Sequence, residues 1–182
     1  MKRHTSVETQ ARILSAAKRL FAAHGYQRTT IRSVAAEAAI DPSMVMRYFQ
    51  NKEKLFKAAT SFDLELPNLG KLDRQNLGRA MVAHFLKRWE TKSDMQLLLR
   101  SAATHNSAAK RMHDIFQLQL VPFIKRYCAM KKAEQCAALV ATQMIGLAFL
   151  RYVLKYPEVT AMPHDFIEEK IGATIQAYLD TL

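Results

Sequence analysis

Residues 41–52, DPSMVMRYFQNK, place an arginine among side chains that can contact a nucleic acid. Arg47 carries a guanidinium, which can donate two hydrogen bonds to O6 and N7 of guanine. Met44, three residues earlier, offers an apolar surface that suits the methyl group of thymine. We therefore expect this stretch to read base edges. The alternative is that Arg47 is an ordinary solvated arginine.

Other side chains around this stretch are suited to phosphate. Thr29, Thr30 and Lys52 precede or open short helical patterns, and the N–H groups at a helix N-terminus favour an anion. Ser43 and Tyr48 should face outward on the same helix as Arg47. Thr30 could be only a helix cap, and Tyr48 could pack inward instead.

The elements that position these residues are predicted from caps and apolar spacing. Gly25 should end the first helix, Asp41 should cap the third, and Pro42 suits that helix's first position. The predicted N-terminal helices span residues 7–24, 31–38, 42–48 and 52–63.

The second and third helices are too short to be stable alone, and together they fit a helix-turn-helix. Ala35 supplies the small residue where the two helices cross. Ala39 stands in the turn where glycine is usual. If its backbone is left-handed, the strain is roughly 1–2 kcal/mol. In such a unit the second helix lies in the major groove of DNA.

These N-terminal residues resemble the TetR (tetracycline-repressor) family. The resemblance covers roughly residues 8–60 and rests on Ile13, Leu14, Ala17, Leu20, Phe21, Gly25, Tyr26, Thr29, Thr30, Ile31, Arg32, Val34, Ala35, Ile40, Asp41, Pro42, Arg47, Tyr48, Phe49, Asn51, Lys52 and Leu55. It implies phosphate contacts from Thr30 and Lys52, and base or backbone contacts from Arg32, Ser43, Met44, Arg47 and Tyr48. Ala39 departs from the family pattern at the turn glycine, and Met46 departs at a common tyrosine. The full predicted DNA-binding set is Thr29, Thr30, Arg32, Pro42, Ser43, Met44, Arg47, Tyr48 and Lys52.

Composition and charge agree with a nucleic-acid partner. The 182 residues include 5 Gly and 5 Pro and carry a net charge of +11. Residues 1–60 hold 11 Lys and Arg against four Asp and Glu, so most of the excess lies there. A basic balance favours polyanionic partners. We predict an all-α fold, with a helix-turn-helix domain at 1–64 and a helical ligand-binding and dimerisation domain at 65–182.

The C-terminal two-thirds should contain a dimer surface, because one short reading helix covers only a few base pairs. The helix predicted at 132–154 is apolar on more than one face, as expected of a helix covered on two sides. The last helix, predicted at 164–180, adds an apolar stripe. The alternative is a purely internal core. The predicted interface residues are Leu139, Gln143, Gly146, Leu150, Ile171, Ile175 and Tyr178.

The middle helices are rich in methionine and aromatic side chains, which can line a ligand cavity but more often form plain core. The family resemblance implies an effector pocket in this region. The candidate pocket residues are Phe85, Trp89, Leu98, Met112, Phe116, Met144 and Phe149.

Several classes of function are disfavoured. The sequence lacks the nucleophile-elbow, phosphate-loop, dinucleotide and zinc-protease motifs, so we expect no enzyme, metal or cofactor. The basic N-terminus has no apolar signal region, and the run Ala137–Leu150 is too short to span a membrane, so we expect a cytoplasmic protein. We therefore expect a homodimeric repressor of an inverted-repeat operator on double-stranded DNA, released by a small hydrophobic effector. An activator, a partner-controlled regulator or a nonspecific DNA binder would be alternatives.

Overall fold

The computed structural model describes residues 5–61, 63–68, 73–91, 94–128 and 132–181. Over these residues the chain forms helices, turns and bends without a strand, which confirms the predicted all-α fold. The α-helices are α1 (Ser6–Arg28), α2 (Ile31–Glu37), α3 (Pro42–Phe49), α4 (Lys52–Ala59), α5 (Leu77–Thr91), α6 (Asp94–Ala102), α7 (Asn106–Ile115), α8 (Val121–Ile124), α9 (Ala133–Ala148), α10 (Pro157–Thr160) and α11 (His164–Thr181). Two π-helical segments, Phe116–Leu120 and Phe149–Val153, continue α7 and α9.

The chain divides into two compact units. The N-terminal unit comprises Met1–Phe62 and Ser93–Met112, and the C-terminal unit comprises Asp63–Lys92 and His113–Leu182. The predicted boundary between residues 64 and 65 lies two residues from the first of these breaks. The grouping of α6 and most of α7 with the N-terminal helices was not predicted.

Aromatic and aliphatic side chains form the core of the N-terminal unit. Ile13 and Phe21 of α1 and Phe56 of α4 are at most 1% exposed, and the Phe21 and Phe56 rings meet edge to face with centroids 5.1 Å apart. Val34 of α2 and Val45 of α3 are 0% exposed. Burial of this kind stabilises helices that are individually too short to persist.

In the C-terminal unit, α5 and α11 cross at two glycines. A Cβ atom at Gly78 would lie 2.2 Å from the carbonyl oxygen of Gly172, so only glycine permits this approach. The Gly78 N–H donates to Gln176 Oε1 at 3.0 Å and fixes the crossing. The same unit buries Val82, Val140 and other apolar side chains from α5, α8, α9 and α11.

Candidate nucleic-acid interface

Side-chain caps define both helices of the helix-turn-helix. Thr30 caps α2: its Oγ1 accepts from the Ser33 N–H at 3.0 Å, and its own N–H donates to Ser33 Oγ at 2.9 Å. Asp41 caps α3, since its Oδ1 accepts from the Ser43 N–H at 2.8 Å. Pro42 occupies the first turn of α3, where its missing N–H leaves no bond unmade. The predicted caps at Thr30 and Asp41 are confirmed.

The turn between α2 and α3 has the geometry of a glycine turn, with alanine in the glycine position. Ala39 has a φ of 50°. The Ile40 N–H donates to the Ala35 carbonyl at 2.9 Å, and the Ala39 N–H donates to the Ala36 carbonyl at 3.0 Å. This pair of bonds is the Schellman motif, which normally ends on glycine. The left-handed backbone that the sequence suggested for Ala39 is therefore present.

An arginine from α1 closes the same turn. Arg12 Nη2 donates to the Ala38 carbonyl at 2.6 Å and lies 3.4 Å from the Ala39 carbonyl oxygen. The partners are 26 residues apart in the chain, so no local pattern could have shown this contact. Arg12 was not among the predicted site residues.

The outer face of α3 carries the predicted base-reading residues. Pro42, Ser43 and Arg47 are exposed, whereas Met44 and Tyr48 are half-buried. The Ser43 hydroxyl donates to Asp41 Oδ1 at 2.5 Å. This bond and the Ser43 N–H hold the pKa of the Asp41 carboxyl below its ordinary value.

Met46, whose orientation the sequence left open, is 44% exposed and lies on α3 beside Arg47. An exposed apolar side chain beside Arg47 is available for contact with a base or sugar. Met46 therefore joins the set of residues that α3 presents outward.

The predicted phosphate-binding residues differ in their exposure to solvent. Thr30 and Arg32 are exposed near the start of α2, so both are accessible. Thr29 is 1% exposed, and its hydroxyl donates to the carbonyls of Leu20 (3.1 Å) and Gly25 (2.8 Å). The Thr29 side chain therefore closes the end of α1 and is not presented at the surface.

Lys52, at the start of α4, is held in place before any ligand binds. Its Nζ donates to the Gln27 carbonyl at 3.2 Å and lies 4.4 Å from the centroid of the Tyr26 ring. Partial burial lowers the pKa of this ammonium group. A cation restrained in this way loses less conformational freedom when it meets a phosphate.

The candidate pocket residues do not fall in one unit. Leu98 lies in the N-terminal unit with Met112, and the other five lie in the C-terminal unit. Phe85 and Trp89 are in ring contact with centroids 5.4 Å apart. Trp89 also stacks on Tyr152 at 5.7 Å, a residue that the sequence analysis missed.

Phe116 and Phe149 each begin a π-helical segment. Such segments are rare and often occur at functional sites. Met144, by contrast, is 8% exposed and belongs to the core of the C-terminal unit. Trp89 is buried as well, at 2% exposure, so burial does not separate it from Met144, and the pocket set stays a prediction.

The candidate interface residues also differ in exposure. Leu139 is 40% exposed, and Gly146 is exposed with nothing within 4 Å of a Cβ atom built on it. Gln143 Nε2 donates to the Tyr178 hydroxyl at 3.3 Å, which joins α9 to α11. Ile175 is 0% exposed, so its side chain belongs to the core of its own unit.

Leu150 and Ile171 are half-buried. Thr142 and Ile145, which were not among the predicted interface residues, extend the exposed part of α9. Thr142 is three residues from Leu139, a helical spacing that could have identified it, whereas Ile145 is six residues from Leu139 and lies about 120° around the helix.

No group of three or more His, Cys, Asp or Glu side chains could hold a metal ion within the described ranges. The segment Ala133–Val153 is long and apolar enough to cross a membrane, so the prediction from a shorter run underestimated its length. Core helices of soluble proteins have the same length and composition, so this is weak evidence for a membrane span.

Two family models match this chain. The family model for the tetracyclin repressor-like C-terminal domain matches residues 75–179, more than half of the chain, and the model for bacterial regulatory proteins of the tetR family matches residues 13–59. None of the curated proteins matches the chain significantly in sequence.

Solved structures share the fold. A TetR-family regulator from Streptomyces coelicolor A3 is 23% identical, with 99% of each chain covered and a TM-score of 0.64. NalD, the secondary repressor of the MexAB-OprM multidrug efflux pump in Pseudomonas aeruginosa, is 19% identical, with 95% of this chain and 96% of NalD covered and a TM-score of 0.68. SmeT in its triclosan complex is 21% identical, with 92% and 89% covered and a TM-score of 0.66. The matches to both family models show that this chain belongs to the TetR family and is a DNA-binding transcriptional regulator, not an enzyme.

Proposed function

We propose that the protein is a cytoplasmic, homodimeric repressor that binds an inverted-repeat operator and is released by a small apolar ligand. The observation that carries the proposal is the exposed face of α3, where Arg47 stands between accessible polar and apolar side chains. In this proposal Arg47 and Met46 contact bases. Thr30, Arg32 and Lys52 contact phosphates.

The proposed dimer is supported by the exposed part of α9. Leu139 and Ile145 are 40% and 38% exposed, and Gly146 beside them leaves room for close approach of another helix. Two copies related by a two-fold axis would bury the same residues from each chain. Their reading helices would then meet two half-sites spaced by the helical repeat of DNA.

The proposed ligand class is supported by the aromatic residues of the C-terminal unit. Phe85, Trp89 and Tyr152 are in successive ring contact. Rings of this kind suit a small aromatic or aliphatic molecule. SmeT, which shares the fold, forms a complex with triclosan.

Release by a ligand requires only a modest coupling. A hundredfold change in operator affinity corresponds to about 2.7 kcal/mol. Ser93–Met112 groups with the N-terminal unit, whereas the chain on both sides of it groups with the C-terminal unit. A ligand that favours another position of this segment would therefore shift the population of DNA-binding states.

The test is a selection from random duplex DNA with the purified protein at near-physiological salt, followed by sequencing. An enriched inverted repeat supports a dimeric sequence reader. A single enriched half-site argues against the dimer, and salt-sensitive binding to all duplexes without enrichment argues for a nonspecific binder. Repression or activation is then decided by a reporter gene placed behind the selected sequence.

A further inference from the structure

Arg12 is a cation in the DNA-binding unit whose charged group contacts the protein's own backbone. Its guanidinium reaches from α1 to the carbonyls of Ala38 and Ala39, at 2.6 and 3.4 Å. The side chain is half-buried, and the shorter contact is partly shielded from water. In a basic unit that binds DNA, an arginine whose guanidinium donates to the protein's own backbone needs an explanation.

The turn that Arg12 contacts needs support. α2 has seven residues, so its last carbonyls are a large fraction of its hydrogen-bonding groups. The Schellman bonds satisfy Ala35 and Ala36, and they require Ala39 to be left-handed, where an L side chain is strained. A cation at a helix C-terminus donates to the remaining carbonyls and is favoured by the helix dipole.

The position of this turn determines the position of α3. Only Ala39 and Ile40 separate Ala38, the C-cap of α2, from Asp41, the N-cap of α3. A change of backbone angle at Ala39 would therefore rotate the whole of α3 and displace Arg47 from its bases.

We propose that Arg12 is a positioning residue for operator recognition. It holds the strained alanine turn in the conformation that aims α3, and it does not contact DNA. The inference rests on the proposed sequence-specific DNA binding and adds a residue to it. It also explains how the chain tolerates alanine where a turn of this kind usually has glycine.

The chain offers a matched control. Arg19 also lies on α1 and also reaches α2, but it pairs with the Glu37 carboxylate at 3.0 Å on the surface. Its guanidinium donates to the Glu37 carboxylate and to the Ser15 hydroxyl. Arg19→Gln removes the same charge from the same helix and should leave operator discrimination nearly unchanged, because exposed ion pairs contribute little.

The experiment compares Arg12→Gln, Arg12→Lys, Ala39→Gly and the double variant R12Q/A39G with the wild type. Fluorescence anisotropy measures binding to the selected operator and to a random duplex over a range of salt concentrations, and circular dichroism checks folding. We expect R12Q to weaken operator binding by roughly tenfold or more, as for loss of a hydrogen bond to a charged group. R12K, which keeps the charge without the planar guanidinium, should lose part of the affinity.

Ala39→Gly should restore most of the loss in the double variant, because glycine adopts the left-handed turn without a clamp. The dependence of affinity on salt should be the same for R12Q and the wild type. If Arg12 instead bound a phosphate, the slope of log K against log salt would fall by about 0.9 and glycine would restore nothing. Either result overturns the proposal, as does unchanged operator binding by R12Q.

The wild-type measurement separates this inference from the proposed function. If the wild-type protein does not prefer its selected duplex over the random one, both fail. If the wild type discriminates and R12Q discriminates equally well, only the positioning role of Arg12 fails. Should R12Q fail to fold, the folded R12K and double variants still decide between the clamp and the phosphate contact.

Discussion

Replacement of Leu139 by glutamate should separate the proposed dimer into monomers. Leu139 is 40% exposed in the single chain. Full burial of a leucine side chain contributes roughly 1.5–3 kcal/mol, so covering the exposed two-fifths contributes roughly 0.6–1.2 kcal/mol per chain. In a dimer with a two-fold axis this burial occurs once in each chain, which gives roughly 1.2–2.4 kcal/mol for the dimer.

The charge of the new glutamate should destabilise the dimer more than the loss of apolar surface does. A carboxylate buried without a partner costs roughly 3–5 kcal/mol. The two-fold axis places one such carboxylate from each chain at the interface, so the terms together amount to about 7–12 kcal/mol. Each 1.4 kcal/mol is a factor of ten in the dissociation constant. The dimer should therefore weaken by about a hundred-thousandfold or more, and sedimentation velocity at micromolar protein concentration should detect the change.

Leu118→Glu is the matched control. Leu118 is another exposed leucine of the C-terminal unit, at 73% exposure, and it lies in the π-helical segment Phe116–Leu120 outside the predicted interface. This variant should sediment like the wild type. If L139E remains dimeric while L118E dissociates, the interface lies elsewhere, and a monomeric wild type would refute the dimer itself.

Three further predictions concern the C-terminal unit. Gly78→Ala should lower the free energy of unfolding, measured by urea titration, by roughly 1–3 kcal/mol or more. The reason is that the alanine Cβ would lie 2.2 Å from the Gly172 oxygen. Unchanged stability would disprove the close crossing of the two helices. Burial raises the pKa of the Cys136 thiol to about 12, so iodoacetamide at pH 8 should label it only after unfolding, as judged by mass spectrometry. Burial, with Glu90 as a second cause, raises the pKa of Tyr152 from 10.0 to about 12. The folded state therefore favours the neutral phenol, and the stability that this group contributes should be lost as pH rises from 10 through 12; Tyr152→Phe should reduce that loss in urea titrations.

The features of the N-terminal unit that the sequence predicted are local ones. Gly25 breaks the helical backbone of α1 with a φ of 73°, close to where the pattern ended the helix. Thr30 and Asp41 cap the helices that they precede. A cap or a turn glycine affects the backbone within a few residues of its own position. The local sequence is therefore enough to predict where the helix begins or ends.

Other features depend on contacts between distant residues, and the sequence could not supply them. Thr29 was predicted to contact phosphate, but its hydroxyl donates back to carbonyls of α1, and Thr30 caps α2. Predicted helix 52–63 ends at Ala59 in the structure. Ile175 has the right period for an interface residue, but periodicity cannot tell whether an apolar stripe faces its own core or a partner.

The grouping of α6 and α7 with the N-terminal helices has a physical consequence for regulation. His105, between those two helices, lies against the Tyr26 ring with centroids 4.0 Å apart, and the same ring supports the ammonium group of Lys52. A displacement of 93–112 would therefore change the surroundings of a proposed phosphate contact through a single aromatic ring. We therefore expect the proposed ligand to change the position of Lys52, which lies against the same ring as His105.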